Sequence, residues 1–269
     1  MQDVNIRPAA VAGAFYPGDT DTLSKMIDDM LAEVRPADLP AAPKALIVPH
    51  AGYIYSGPIA ASAYALLKPL RETTKRIVLL GPVHRVPVRG LALPDADAFT
   101  TPLGNVLLDK DAMQDISGLT QVVISDAAHA WEHSLEVHLP FLQKVIGDFR
   151  LVPLAVGDAS PEEVSEVLEH LWGGEETLIV ISSDLSHYQP YDEAQLMDEA
   201  TVQNILDLTY PSQHDQACGA TPINGLLHLS RKKGLQPHLL DLRNSGDTAG
   251  DKGQVVGYAA FAFTEDSDD

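Results

Sequence analysis

Cysteine is almost missing from this 269-residue chain, in which Cys218 is the only one. An intrachain disulfide is thereby excluded, as is a zinc or iron-sulfur site built from cysteines alone, and a reducing compartment is expected. Positive charge is also scarce: 18 Lys and Arg face 38 Asp and Glu, a formal net charge of -20. With no basic patch or Lys/Arg run to follow phosphates, no nucleic-acid partner is expected. The acidity is spread along surface segments and into the tail at 265–269, and it reads as a solubility feature. No apolar stretch approaches the roughly 20 residues that cross a bilayer, and no basic segment followed by an apolar one opens the chain. A cytoplasmic location and no membrane partner are therefore expected. Internal repeats, long linkers and low-complexity blocks are absent too, so residues 1–269 are expected to form one domain with an acidic tail at 265–269. Hydrophobic residues make up 45% of the chain, ample for a core.

Three stretches share one design, an apolar strand running into a histidine-bearing loop: residues 44–53 with His50, 76–85 with His84, and 177–188 with Asp184 and His187. Their apolar runs at 45–48, 77–80 and 178–181 do not alternate, the pattern of strands buried on both faces of a parallel sheet. The expected fold is α/β, with a central, mostly parallel sheet flanked by helices. The first two runs, joined by a small-residue helix at 59–67, read as a βαβ unit with adjacent strands. Further strands are expected at 88–93, 121–125, 150–156, 238–242 and 254–263. Further helices are expected at 20–34, 132–146, 161–171, 192–208 and 221–233. Ser160, Pro161 and Glu163 give the clearest helix start.

Ligands of such sheets bind beyond the carboxyl ends of the strands, where His50, His84, Asp184 and His187 would meet. Two neutral imidazoles there suit a mononuclear metal site, although each alone could simply bond loop backbone. Asp184 could ligate, fix the tautomer of His187 or cap a helix; His187 could ligate or act as a general acid or base. A helix at 132–146 would align His129, Glu132, His133 and Glu136 on one stripe, with Glu136 free to bond a metal-ligating histidine or substrate, or to face water. The spacing is not that of a His-Glu-x-x-His protease, and no Gly-x-Ser-x-Gly elbow marks a hydrolase. Asp247, in the polar loop 244–251, can complete two histidines with a carboxylate, a set that suits Fe(II), with Zn not excluded; the loop is equally an ordinary turn. Cys218 is either activated by the helix start at Pro222 or buried and inert.

Seven blocks in order carry a wider likeness: 7–17, 49–57, 80–84, 132–141, 182–187, Cys218-Gly219 and 257–260. On these the chain resembles the MEMO family, whose prokaryotic members are also called protein B of the AmmeMemoRadiSam system. The resemblance implies a class III extradiol dioxygenase-like fold. It implies His50 and His84 as metal ligands, Fe(II) first with Zn or Cu as alternatives, and His187 and Asp184 as catalytic groups. Animal members offer a cysteine in the last loop where this sequence has Thr248 beside Asp247, so Asp247 or a water is expected as the third ligand. Tyr53, Glu136 and His133 are expected to meet substrate, with Tyr55 and Tyr188 lining the same cleft. A metal-dependent redox enzyme is the first functional reading. The second is a non-catalytic accessory protein that binds a metal, a small molecule or a peptide and works with AMMECR-type and radical-SAM partners.

Overall fold

Residues 45–48, 77–80 and 178–181 are all at most 2% exposed, as runs without alternation should be when both faces of a sheet are covered. The computed structural model describes residues 4–210 and 215–265. Its strands are β1 (Ile6–Arg7), β2 (Pro43–Val48), β3 (Arg76–Pro82), β4 (Leu91–Leu93), β5 (Ala98–Thr101), β6 (Gly104–Leu107), β7 (Val122–Ile124), β8 (Arg150–Val156), β9 (Thr177–Ser182), β10 (His187–Gln189), β11 (Gln236–Asn244) and β12 (Val255–Thr264). Its helices are α1 (Thr20–Glu33), α2 (Tyr53–Tyr64), α3 (Lys110–Ile116), α4 (Asp126–Ala130), α5 (Leu139–Val145), α6 (Pro161–His170), α7 (Tyr191–Leu206) and α8 (Ala220–Lys233).

The centre of the main sheet runs β2-β9-β3-β8, all parallel. Its flanks are mixed. β12 lies antiparallel to β2 and carries β11 and β10, both antiparallel to it, while β4 is antiparallel to β8 and parallel to β7. The parallel expectation thus holds for the four central strands, of which β2, β3 and β9 end at the site, and gives way outside them. β1, β5 and β6 form a separate small sheet. The expected adjacency of the first two strands is also corrected: β9 lies between β2 and β3, so the α2 crossover leaves a gap one strand wide.

Most helices fall where periodicity and caps place them. Asp19 accepts from the Thr22 N–H to start α1, and Leu23, Ile27 and Leu31 form its buried stripe. Ser160 and Glu163 close a reciprocal capping box at α6. Ser160→Ala is therefore expected to cost about 1 kcal/mol and to lower the melting temperature by about 2–4 °C, measured by calorimetry. A wild-type melting curve for that variant would show that the cap adds nothing.

The helix expected over 132–146 does not form as one piece. α4 ends at Ala130, a single 3-10 turn spans 136–138, and α5 starts at Leu139 with Pro140 in its first turn. Pro140 lacks the N–H an interior position needs, which suits it to the first turn of α5. The acidic tail reaches beyond the described residues, except for Glu265. Among the described residues, no helix is long and apolar enough to cross a membrane.

Candidate metal centre

Three histidines meet at the carboxyl ends of the central strands. His50 follows β2, His84 follows β3, and His133 comes from the loop between α4 and α5. One ligand atom of each lies within 4.8 Å of the other two. The ring centroids are 5.3 Å apart for His50 and His84, 5.4 Å for His50 and His133, and 4.8 Å for His84 and His133.

Hydrogen bonds fix which nitrogens face inward. Ser182 Oγ lies 2.6 Å from the Ser134 carbonyl oxygen, which only accepts, so the serine proton is committed there. The same Oγ must then accept from His50 Nδ1 at 2.6 Å and from His138 Nε2 at 2.8 Å. His138 Nδ1 in turn accepts from the Tyr64 hydroxyl at 2.7 Å. His50 thus carries its proton on Nδ1 and leaves Nε2 as a lone pair, the state in which imidazole binds a metal.

Glu132 does the same for His84. Its carboxylate accepts from His84 Nδ1 at 2.8 Å, from the His84 backbone N–H at 2.6 Å, and from the N–H groups of His133 and Ser134 at 2.9 and 3.0 Å. Burial pushes this carboxyl up, but its bond to His84, the charge beside it and these backbone donors outweigh burial and hold it at about 2. An anion of that kind accepts a hydrogen bond from His84 Nδ1–H and leaves Nε2 as the lone pair available to the cluster. His133 Nδ1 lies 3.3 Å from the same carboxylate. Burial, then the neighbouring histidines, push His50 well below its ordinary value, and burial also lowers His133 despite the Glu132 charge.

Asp184 and Cys218 stand next to this trio. Asp184 Oδ1 accepts from the His50 N–H at 2.7 Å, and Oδ2 lies 3.9 Å from His50 Nε2. Burial raises its pKa, against the His50 N–H bond and the charges of His187, His133 and His84. Cys218 Sγ is 3.4 Å from His50 Nε2 and accepts from the Asp184 N–H at 3.3 Å. Burial, with the Asp184 charge, pushes the thiol up to about 12, the opposite of activation by a helix start. His187 opens β10 beside Asp184 and Asp198; burial raises the Asp198 carboxyl to about 6, against its bonds from Ser186 and the nearby His187.

Three expected site residues stand elsewhere. Asp247 accepts from the Tyr191 hydroxyl at 2.5 Å and from the Asn244 N–H at 3.0 Å, closing the turn before β12; it is not in the histidine group. One oxygen closes its own turn and the other binds the first residue of α7, so both are engaged away from the histidines. Glu136 is fully buried and anchors the N-terminal arm, accepting from Arg7 Nη1, from the Ala10 and Val11 N–H groups, and from the Tyr16 hydroxyl at 2.6 Å. No lone pair is left for substrate. Tyr53, 3% exposed, donates its hydroxyl to the Val137 carbonyl oxygen and packs on Phe141, so it is core. Tyr188 lies at the other extreme, 68% exposed with φ +57°. His133, expected to meet substrate, joins the two expected ligands instead. Its ring also packs on Phe15 of the arm, centroid to centroid 4.8 Å.

Local sequence pattern does not mark Ser182 and Glu132 as the residues that orient His50 and His84.

Comparison with known proteins follows the same outline. The chain is 35% identical to a MEMO1 family protein from Sulfolobus acidocaldarius, over 96% of this chain and 99% of that protein. It is 36% identical to one from Aquifex aeolicus, over 97% and 100%. Among solved structures, an uncharacterized protein, JW3007, from Escherichia coli K12 superposes with a TM-score of 0.50 at 13% identity, covering 81% of this chain and 98% of that one, a likeness of fold alone. The Memo-like protein model matches residues 7–262, and with relatives alike from end to end this chain belongs to that family.

Proposed function

We propose that His50, His84 and His133 hold one divalent cation and that the centre serves a metal-dependent redox reaction of the kind associated with extradiol dioxygenases. One observation carries the reading: three imidazoles converge within 4.8 Å, and two of them have their outward nitrogen tied by Ser182 and Glu132. Three neutral imidazoles fit Fe(II), Zn or Cu, and Fe(II) is favoured by the family resemblance. When bound, such an ion supplies Lewis-acid polarisation and, for iron or copper, electron transfer. The chain's own residues do the rest. Ser182 and Glu132 hold the rings in place, Asp184 accepts from the His50 N–H at the end of β2, and on this reading His187 moves protons beside them.

Anaerobic Fe(II) titration with metal analysis tests this reading. Wild type is expected to take up one equivalent, and His50→Ala/His84→Ala none above background. Equally weak uptake by both would remove the metal site from the argument. Oxygen uptake over a panel of catechols then tests turnover. The second reading, an accessory protein for AMMECR-type and radical-SAM partners, draws support from Tyr188, an aromatic 68% exposed next to His187. Metal uptake with no oxygen consumption on any catechol favours it.

A further inference from the structure

β3 ends at Pro82, and the chain then bends through His84 and Arg85 before Pro87. The His84 N–H is held by Glu132 at 2.6 Å, so the backbone that carries Arg85 is anchored to the histidine group one residue away. Arg85 itself is exposed, and among the described residues its side chain has no hydrogen bond and no ion pair. Carboxylates are not in short supply, with 38 acidic against 18 basic residues. The next arginine shows the contrast: Arg89 donates to the Asp158 carbonyl oxygen and to both oxygens of Glu163.

The histidine group opens past His84 and His133. Their side chains are 30% and 18% exposed, against 2% for His50, so a ligand from solvent meets those two first. The Arg85 charge is felt by His133, which puts the guanidinium within electrostatic reach of that mouth. Two carboxyls stand beside the histidines, Glu132 and Asp184, 2% and 4% exposed and both engaged by backbone N–H groups. Together they offset at most the two charges of a divalent ion. Arg85 then leaves the loaded mouth with a positive charge that neither of them neutralises. A neutral ligand gains little from it, whereas a carboxylate gains paired N–H bonds from a planar guanidinium.

We infer that Arg85 is a specificity residue of the metal centre, and that the ligand the centre takes carries a carboxylate held by the Arg85 guanidinium. One surplus positive charge matches a monoanion, which favours a carboxylate over a phosphate dianion. The assignment rests on the metal reading above and adds to it the charge of the ligand.

Zinc, which has no redox chemistry, is loaded at one equivalent and the bound metal is measured first. Benzoate and benzamide, a planar anion and its neutral counterpart, are then titrated into the zinc-loaded full chain by calorimetry. The preference for benzoate is expected to be about tenfold larger in wild type than in Arg85→Gln, the effect of a hydrogen bond to a charged group. Arg85→Lys is expected to keep part of it, because the charge remains and the fork is lost. Both changes are made at an exposed side chain without partners, and both variants are expected to fold and hold zinc. Benzoate bound by zinc alone would give the same preference in all three proteins. That result, no binding of benzoate to wild type, or loss of zinc in Arg85→Gln would each overturn the assignment. A wild type without zinc removes the metal centre and the assignment together, whereas zinc retained with an unchanged preference removes only the role of Arg85.

Discussion

Glu136→Ala is expected to lower folding stability by about 3–5 kcal/mol and the melting temperature by about 10 °C, the largest loss from any single truncation outside the sheet core. The carboxylate is fully buried and accepts four donors, from Arg7, Ala10, Val11 and Tyr16. Truncation leaves the Arg7 guanidinium charged, 7% exposed and without its counter-ion, and strands two backbone N–H groups. Charge without a partner costs far more than the pair contributed, because the desolvation of Arg7 remains while the attraction is gone. Glu136→Gln keeps an acceptor oxygen and is expected to recover part of the loss. Thermal melting followed by circular dichroism measures both; a Glu136→Ala protein that melts within about 1 °C of wild type would refute the anchor.

His133→Ala is expected to weaken Fe(II) binding by at least about 100-fold, whereas Asp247→Ala leaves it unchanged. Loss of an orienting partner alone typically costs 10- to 100-fold, and His133 is placed as a ligand. Glu132→Gln falls within that range, because a neutral amide gives His84 Nδ1 a weaker acceptor. Competition against a chelator of known affinity under anaerobic conditions measures all three. If the His133→Ala and Asp247→Ala results were exchanged, the centre would revert to two histidines and a carboxylate.

The contrast between His133 and Asp247 marks where local pattern stops being informative. His50 and His84 were legible because strand ends are local features: an unbroken apolar run, then a histidine beside glycine or proline. Strand and helix limits at 150–156, 161–171 and 221–233 were legible within a residue for the same reason. His133 was read as part of a helical stripe because charge spacing there mimics helical periodicity. Its true setting depends on Glu132 bonding His84, 48 residues away. Glu136 looked equally available as a polar helix residue, yet its partners lie 120 to 129 positions earlier. Ser182 offers the sequence only a nucleophile candidate without a Gly-x-Ser-x-Gly elbow, and the convergence of His50, His138 and Ser134 on it gives it an orienting role instead.

The place of β9 between β2 and β3 bears on how the chain assembles. In a chain made from its N-terminus, β2 and β3 emerge roughly a hundred residues before β9, and they cannot zip together without excluding it. Until β9 arrives, both strands carry unsatisfied edges, the state most open to mispairing and to chaperones. Such non-local pairing slows folding. Ser182 stands at the end of β9 and ties down His50, so a ribosome-bound fragment that ends before residue 177 holds His50, His84 and His133 without β9 between β2 and β3 and without the acceptor that fixes the His50 tautomer. On the proposed metal reading, capture would wait until the chain has passed Ser182.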